Sequence, residues 1–380
     1  MFIRKLLLAL PLAALLSSPA PASTVIVDLE SGQTILEEEP DRAVDASGVA
    51  PMVAVYTALD IMRERSRSLF DMVPSPWPAD ASKEKDDPEP AREIDLATLL
   101  QAVLMNGSPE ALAAIPAALG MTAEEFSAGM NAALGRAGIA EPKFAFPCSE
   151  TAPCTTSARD VSKIAVSLYE RFPIARIWGA AQTLEIPGIP PQQTANFFLE
   201  RSPAITGIFV SPGNGQASAA VLSENPRGTE ARIRRLIAVE LNDPNPGTLR
   251  ERLTSLFLRA YRDYETLEVY PAGTVAAKLP VFKSSLEEVN AVVPLPVYAT
   301  TSRERMISEG SKAFDLRVSY SSPLIAPLKQ GDRVGELQIF ENGRMIVTAP
   351  LVAEEDVPLG SFLSRFIDTL RLALGQDALH

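Results

Sequence analysis

The chain has a single histidine, His380, and it is the last residue. Ser-His-Asp and Cys-His mechanisms each need an imidazole inside the fold, so any nucleophilic serine here must work through lysine or carboxylate chemistry. One segment spells Ser-x-x-Lys outright, Ser82-Lys83-Glu84-Lys85. It lies in a stretch over 74–93 rich in Pro, Asp, Glu and Lys, which reads as a solvated loop with no buried helix to organise a nucleophile. Cys148 and Cys154 are the only cysteines and stand in a Pro/Ser/Thr-rich stretch. One histidine and two cysteines cannot furnish a usual zinc set, and neither a metal nor a cofactor is expected.

The N-terminus sets the compartment in which such residues would act. Arg4 and Lys5 precede an apolar run over 6–16, and 17–22 ends in Ala20-Pro21-Ala22. A positive head, a short apolar core and small residues make a secretory signal peptide over 1–22, with cleavage after Ala22. The run is too short to span a bilayer, which takes roughly 20 residues. Export to an oxidising compartment makes a short-loop Cys148–Cys154 disulfide the natural expectation, a local clip of roughly 2 kcal/mol in the chain-entropy model. Removing 1–22 takes two basic residues and no acid, which leaves 33 Lys+Arg against 47 Asp+Glu and a net charge of −14. Phosphate binding needs a basic face, so nucleic acid is not an expected partner. No later segment is long and apolar enough to cross a membrane.

The elements that must position any site follow from periodicity. Residues 24–29 alternate as a strand, Ser31-Gly32-Gln33 gives a turn, and 34–36 a second short strand. Met52, Val55, Tyr56, Leu59 and Met62 fall at helical spacing over 51–67. Helical patterns return at 94–105, 109–119, 122–138 and 157–171. A further helix over 248–263 presents Leu249, Leu253, Leu256 and Leu258. Strand-like runs at 204–210, 217–222 and 235–240 lie between, so 23–262 is expected to be one α+β domain. Over 263–358 helical periodicity disappears, and an all-β domain is expected, its clearest hairpin turning at Asn342-Gly343, which fits a type I′ turn. The tail over 359–380 is helical again, with Phe362, Leu363, Phe366, Ile367, Leu370 and Leu374 on one face. That pattern suits an interfacial helix and equally a helix packed on its own protein.

Tyr264-Glu265-Thr266, 320–328 (YSSPLIAPL), 331–340 (GDRVGELQIF) and Pro350-Leu351-Val352 resemble the membrane-proximal domain of the low-molecular-weight penicillin-binding proteins, the serine-type D-Ala-D-Ala carboxypeptidases. Upstream, 26–36 looks like that family's opening hairpin and 156–160 (TSARD) like its helix start after the active-site loop. The resemblance covers nearly the whole chain after the signal segment. It implies a β-lactamase/transpeptidase-like N-terminal domain, a small all-β domain and an amphipathic helix resting on the inner membrane. It also implies a peptidoglycan stem peptide as substrate.

Such enzymes use Ser-x-x-Lys, Ser-x-Asn and Lys-Thr-Gly motifs. Here Ser47 stands at the nucleophile position, but Ala50 replaces the lysine. Asn106-Gly107-Ser108 falls where Ser-Gly-Asn is expected, with its polar residues exchanged. Ile205-Thr206-Gly207 falls where Lys-Thr-Gly is expected, with Thr206 and Gly207 as substrate-binding candidates. Ser47 also suits an ordinary helix N-cap, and Asn106, Ser108 and Thr206 could merely satisfy turn and strand backbone. General acid–base help is worth roughly 10²–10⁴-fold, so losing both lysines points to weak or lost activity. What remains is a peptide-binding or scaffolding role toward a stem peptide or another envelope protein. An active carboxypeptidase working through Ser47 is the alternative.

Overall fold

A computed structural model describes residues 22–77, 93–149, 151–186, 189–199, 205–211, 217–227, 232–244 and 246–373. The signal segment up to residue 21, the Ser82–Lys85 stretch, Leu374 and His380 lie outside the described residues.

In chain order the first part comprises β1 (Ser23–Asp28), β2 (Thr34–Glu38), β3 (Val44–Asp45), α1 (Ala50–Glu64), β4 (Met72–Pro74), β5 (Glu93–Asp95), α2 (Leu96–Asn106), α3 (Pro109–Ala118), α4 (Ala123–Arg136), β6 (Thr155–Thr156), α5 (Ala158–Arg171) and α6 (Pro173–Gly179). It continues with β7 (Thr183–Ile186), β8 (Ile189–Gln193), β9 (Ile205–Ser211), β10 (Ala217–Arg227), β11 (Arg232–Asp243) and α7 (Pro246–Asp263). The main sheet runs β2-β1-β11-β10-β9 and is antiparallel throughout. Both of its faces are covered, so all six residues of β1 are buried rather than the alternate ones that the sequence pattern suggests. Val25 and Val27 enter the core shared with α1–α6, whereas Ile26 enters the smaller core under α7.

The helix starts follow capping rules. Asp95 accepts from Thr98 N at 2.7 Å, Thr122 and Glu125 make a reciprocal capping box, and the Ser157 hydroxyl accepts from Asp160 N at 3.1 Å. α1 differs from its sequence pattern. Every residue from Met52 to Met62 is buried, so the helix has no solvent face and runs through the middle of the helical layer. Its one buried carboxylate, Asp60, is met by Arg136 and Arg171. On α7 the expected Leu258 is 66 % exposed and Phe257 is buried in its place, because Leu249, Leu253, Phe257 and Ala260 share a face at 3.6-residue spacing.

The second part holds β12 (Tyr264–Tyr270), β13 (Val275–Phe282), β14 (Glu288–Val292), β15 (Val297–Ser302), α8 (Arg303–Glu309), β16 (Asp315–Ser319), β17 (Leu324–Ile325), β18 (Arg333–Glu341), β19 (Arg344–Ala353) and α9 (Phe362–Ala373). A sheet ordered β16-β18-β19-β14-β13-β17 and a β12-β15 pair enclose their own apolar core. The β18–β19 hairpin turns at Asn342 and Gly343, both at positive φ, as a type I′ turn requires. The expectation of strands alone is corrected by α8 and the short 3₁₀ turn after it. Ser302 caps α8 through Arg305 N at 3.3 Å, and none of α8 is buried, so its sequence shows no apolar stripe.

A polar junction joins the two parts. The buried pair Arg234–Asp28 is 2.6 Å apart, and Asp28 also accepts from the Thr266 hydroxyl at 2.6 Å. Gln33 exchanges two hydrogen bonds with the Thr300 backbone, at 3.1 and 2.6 Å.

Candidate functional site

Ser47 is set by what holds the residues before it. Asp45 pairs with Thr155 in the β3–β6 ladder, and Ala46 N donates to Cys154 O at 3.0 Å. Cys154 is disulfide-bonded to Cys148, with the two Cα atoms 5.5 Å apart. The clip therefore lies directly beside the strand pairing that leads into Ser47. From Ala46 the chain turns into α1, with Val49 N and Ala50 N both donating to Ala46 O. Val49 is the N-cap and no side chain caps the helix. Ser47 is thus not the N-cap. It stands exposed at the crest of the turn, and its hydroxyl donates to the carboxylate of Asp45.

The Asn106-Gly107-Ser108 corner packs beside this turn. Gly107 takes φ +69° at the end of α2, and a Cβ placed on it would lie 4.0 Å from Pro51 Cγ, at the start of α1. Asn106 Oδ1 accepts from Ser108 N at 3.0 Å. The Ser108 hydroxyl accepts from Ala111 N at 3.3 Å, as N-cap of α3, and donates to Glu110 at 3.0 Å. Both polar side chains are engaged in shaping the α2–α3 corner, which Ala195 N fastens through Met105 O at 3.0 Å.

The third segment is corrected by register. Ser211, not Thr206, is the β9 residue opposite Ser218. Ser218 is the residue against Gly48, where an added Cβ would sit 3.1 Å from its hydroxyl oxygen. Thr206 pairs with Leu222, four strand positions from Ser218, or roughly 13 Å at strand rise. Gly207 instead lies where β9 crosses the end of α6. A Cβ on Gly207 would overlap Asn196 Nδ2 at 1.7 Å, and one on Gly179 would meet Gly207 O at 2.2 Å. Both glycines allow the close approach of two backbones. The β9 residue that register brings to the Ser47 corner is Ser211, opposite Ser218, and not a lysine.

Sequence reasoning missed Asp45, Ser218 and Asn242. Asn242 N donates to the Ser218 hydroxyl at 3.1 Å and its amide to Asp45 O at 3.4 Å, from a residue at φ +55°. The run 242–247 (NDPNPG), rich in turn-forming residues, is the sequence signal for it. Of the lysines, Lys163 is bound to Gly138 O and to Asp160, each at 3.1 Å. Lys143 bridges Thr155 through its backbone, one strand beyond Asp45, and makes no ion pair among the described residues. Behind the sheet, under α7, burial pushes the Glu240 carboxyl up to about 8, with Asp243 adding to the shift and Arg252, at 3.4 Å, opposing it. No group of three or more metal-ligating side chains occurs among the described residues.

The arrangement is a serine hydroxyl on a rigid turn, bordered by a helix corner and by the end of a sheet-edge strand. Residues 264–359 match the family model for the C-terminal domain of penicillin-binding protein 5. D-alanyl-D-alanine carboxypeptidase DacA of Escherichia coli K12 is 23 % identical over 361 residues, covering 92 % of this chain and 87 % of the relative. DacF of Bacillus subtilis 168, also a D-alanyl-D-alanine carboxypeptidase, is 19 % identical over 347 residues, covering 90 % and 87 %. Over most of its length the chain is similar to the low-molecular-weight penicillin-binding proteins. In fold it is similar to penicillin-binding protein 5 from Haemophilus influenzae, with a TM-score of 0.70 at 18 % identity over 88 % of this chain and 97 % of that one. The peptidoglycan synthesis regulatory factor PBP3 from Streptococcus pneumoniae gives the same TM-score at 19 % identity, over 90 % and 100 %. A penicillin-binding fold with a C-terminal β domain is therefore the frame in which the Ser47 corner sits.

The tail helix presents the reverse of an ordinary surface helix. Phe362, Leu363, Phe366, Ile367 and Leu370 are between 41 and 78 % exposed, and no residue of α9 is buried. Its polar side faces the protein. Asp368 accepts from Lys283 N at 2.6 Å, and the Ser364 hydroxyl donates to Ser284 O at 3.3 Å. Gly360 N donates to Lys283 O at 2.9 Å. No helix among the described residues is long and apolar enough to cross a membrane.

Proposed function

We propose that this chain carries out the peptidoglycan role of its carboxypeptidase relatives as a binder of stem-peptide ends or of another envelope protein, with D,D-carboxypeptidase activity weak or lost. The observation that carries this is the environment of Ser47. Its hydroxyl is hydrogen-bonded to Asp45, and the residue one helical turn on is Ala50, whose methyl cannot take a proton. A serine hydroxyl is a poor nucleophile without an adjacent base, and a carboxylate is a far weaker base than an amine. The same hydrogen bond favours the second reading, an active carboxypeptidase in which Asp45 serves as base for Ser47. The test is labelling of the purified protein with a fluorescent penicillin. The first reading expects no adduct within minutes. A rapid adduct that is lost in Ser47→Ala would establish the second.

The protein is held, in this proposal, on the periplasmic face of the inner membrane after export and removal of residues 1–22. The support is α9, whose apolar stripe is turned away from the protein. Burying a large apolar side chain is worth about 1.5–3 kcal/mol, less when burial is partial, so such a stripe supplies several kcal/mol of attachment. Arg365 and Arg371 add little attraction to anionic lipid against Asp368, so hydrophobic burial carries the attachment. Cys148–Cys154 persists in the same compartment.

A further inference from the structure

A cleft of about 620 Å³ lies between the β13–β14 hairpin and the polar side of α9. Lys278 of β13, Glu287 and Glu288 at the hairpin, Tyr320, and Asp368 and Arg371 of α9 line it. Its charges are of both signs and, apart from the long Arg371–Asp368 contact, are not matched to one another. Among the described residues neither Lys278 nor Glu287 nor Glu288 makes an ion pair. Arg371 reaches Asp368 only at 3.6 Å, while the other Asp368 oxygen is taken by Lys283 N. Lys278 stands opposite Asn290, two positions from Glu288 on the same strand pair, so cation and carboxylate share one face without closing on each other. Unpaired charges of opposite sign around one cavity suit a ligand that carries both.

The position of the cleft narrows the ligand. Ser364, Asp368 and Arg371 line it from the side of α9 opposite the apolar stripe, and a helix is only about 10–12 Å across. Whatever surface the stripe enters, the cleft lies within one helix diameter of it. Leu286, 38 % exposed at the rim, and Ile325, 43 % exposed on β17 beside Phe282, extend the apolar surface around the mouth.

We propose that this cleft receives the headgroup of a zwitterionic amino-phospholipid, with Lys278, Arg371 and the Tyr320 hydroxyl on the phosphodiester and Glu287 and Glu288 on the primary ammonium. Leu286 and Ile325 then meet the roots of the acyl chains. The assignment rests on the membrane reading above and adds lipid selectivity to it. A primary ammonium donates hydrogen bonds to carboxylates that a trimethylammonium cannot, so two lipids of equal net charge are distinguished.

The test is flotation of the full mature chain with vesicles of phosphatidylcholine alone or of phosphatidylcholine mixed equally with phosphatidylethanolamine. Three proteins are compared: wild type, Lys278→Ala/Glu287→Gln/Glu288→Gln, and Phe366→Ser/Leu370→Ser. Wild type should bind the mixed vesicles about fivefold more tightly, the scale of partly exposed charge pairs. The cleft variant should lose that preference while binding phosphatidylcholine as wild type does, which also separates headgroup recognition from lipid-packing effects. A preference that survives in the cleft variant, or is absent from wild type, overturns the headgroup site. Unchanged binding of the stripe variant to every vesicle overturns the membrane reading itself. Saturable binding of soluble glycerophosphoethanolamine by wild type showing no vesicle preference would reassign the cleft to a soluble phosphodiester and overturn the lipid assignment.

Discussion

Helices α1 and α9 are both rich in apolar residues and end in opposite circumstances. α1 buries every residue from Met52 to Met62, and α9 buries none. α1 is enclosed by other helices and by the sheet, so its apolar surface is spent on the fold. α9 meets the protein through Ser364, Asp368 and the backbone of Lys283 and Ser284, so its apolar surface is left for something else. Hydrophobic periodicity shows that a helix has an apolar face; only the neighbours decide whether that face is core or interface.

Three variants test the contrast, in falling order of effect on folding. Tyr56→Ala in α1 should lower stability by about 3–5 kcal/mol, the range for buried aromatic truncations. It removes a fully buried ring that accepts a 2.7 Å bond from Arg171 and packs edge-on against Phe172. Denaturant unfolding measures this, and a loss below 1 kcal/mol would mean α1 is not the enclosed element described. Next comes Glu240→Gln, which probes the price of enclosure for an ionisable group. The Glu240 carboxyl is raised from 4.5 to about 8, chiefly by desolvation. The native state therefore holds a proton that the unfolded state releases, and stability falls as pH rises from about 4.5 to about 8. The glutamine variant stays neutral, so its melting temperature should gain on wild type steadily across that window. Parallel melting curves from pH 5 to pH 8 would refute it. Smallest in folding terms is Phe366→Ser/Leu370→Ser, expected within about 0.5 kcal/mol of wild type because both side chains are already exposed. In cell fractionation the same variant should leave the membrane fraction, as should a chain truncated after Pro358. A large loss of stability with no change in fractionation would put α9 in the same class as α1.

Much of the fold was legible because the strong signals are local. Apolar spacing located the long helices, Ser157 marked the start of α5, and Asn342-Gly343 marked a hairpin that depends on two positive φ angles. What escaped depends on pairing. β3 and β6 are two residues each and exist only because they pair with one another, which no local pattern announces. α8 is a charged helix with no buried side, so it carries no stripe. At the candidate site, Ser47 was found by position in the chain, but its partner Asp45 is defined by the turn between them. Ile205-Thr206-Gly207 spells two-thirds of the expected motif, yet register puts Ser211 at the Ser47 corner and leaves Gly207 under Gly179. A bulge between the Phe209 and Gly207 pairs helps set that register, and a bulge cannot be read from a motif.

The order of the main sheet bears on how the chain folds. β1 is the first described strand, and its partner on the inner side is β11, with Ser23 opposite Leu241. Only the short β2 is near it in sequence. Closing so long a loop before any contact rewards it is entropically unfavourable, and such pairings slow folding. Until β11 has been synthesised, β1 has only a marginal two-stranded hairpin to belong to, and Val25 and Val27 lack half of the surface that covers them. β1 can therefore complete its pairing only when nearly the whole first part of the chain is present, and it then lies between β2 and the central β11.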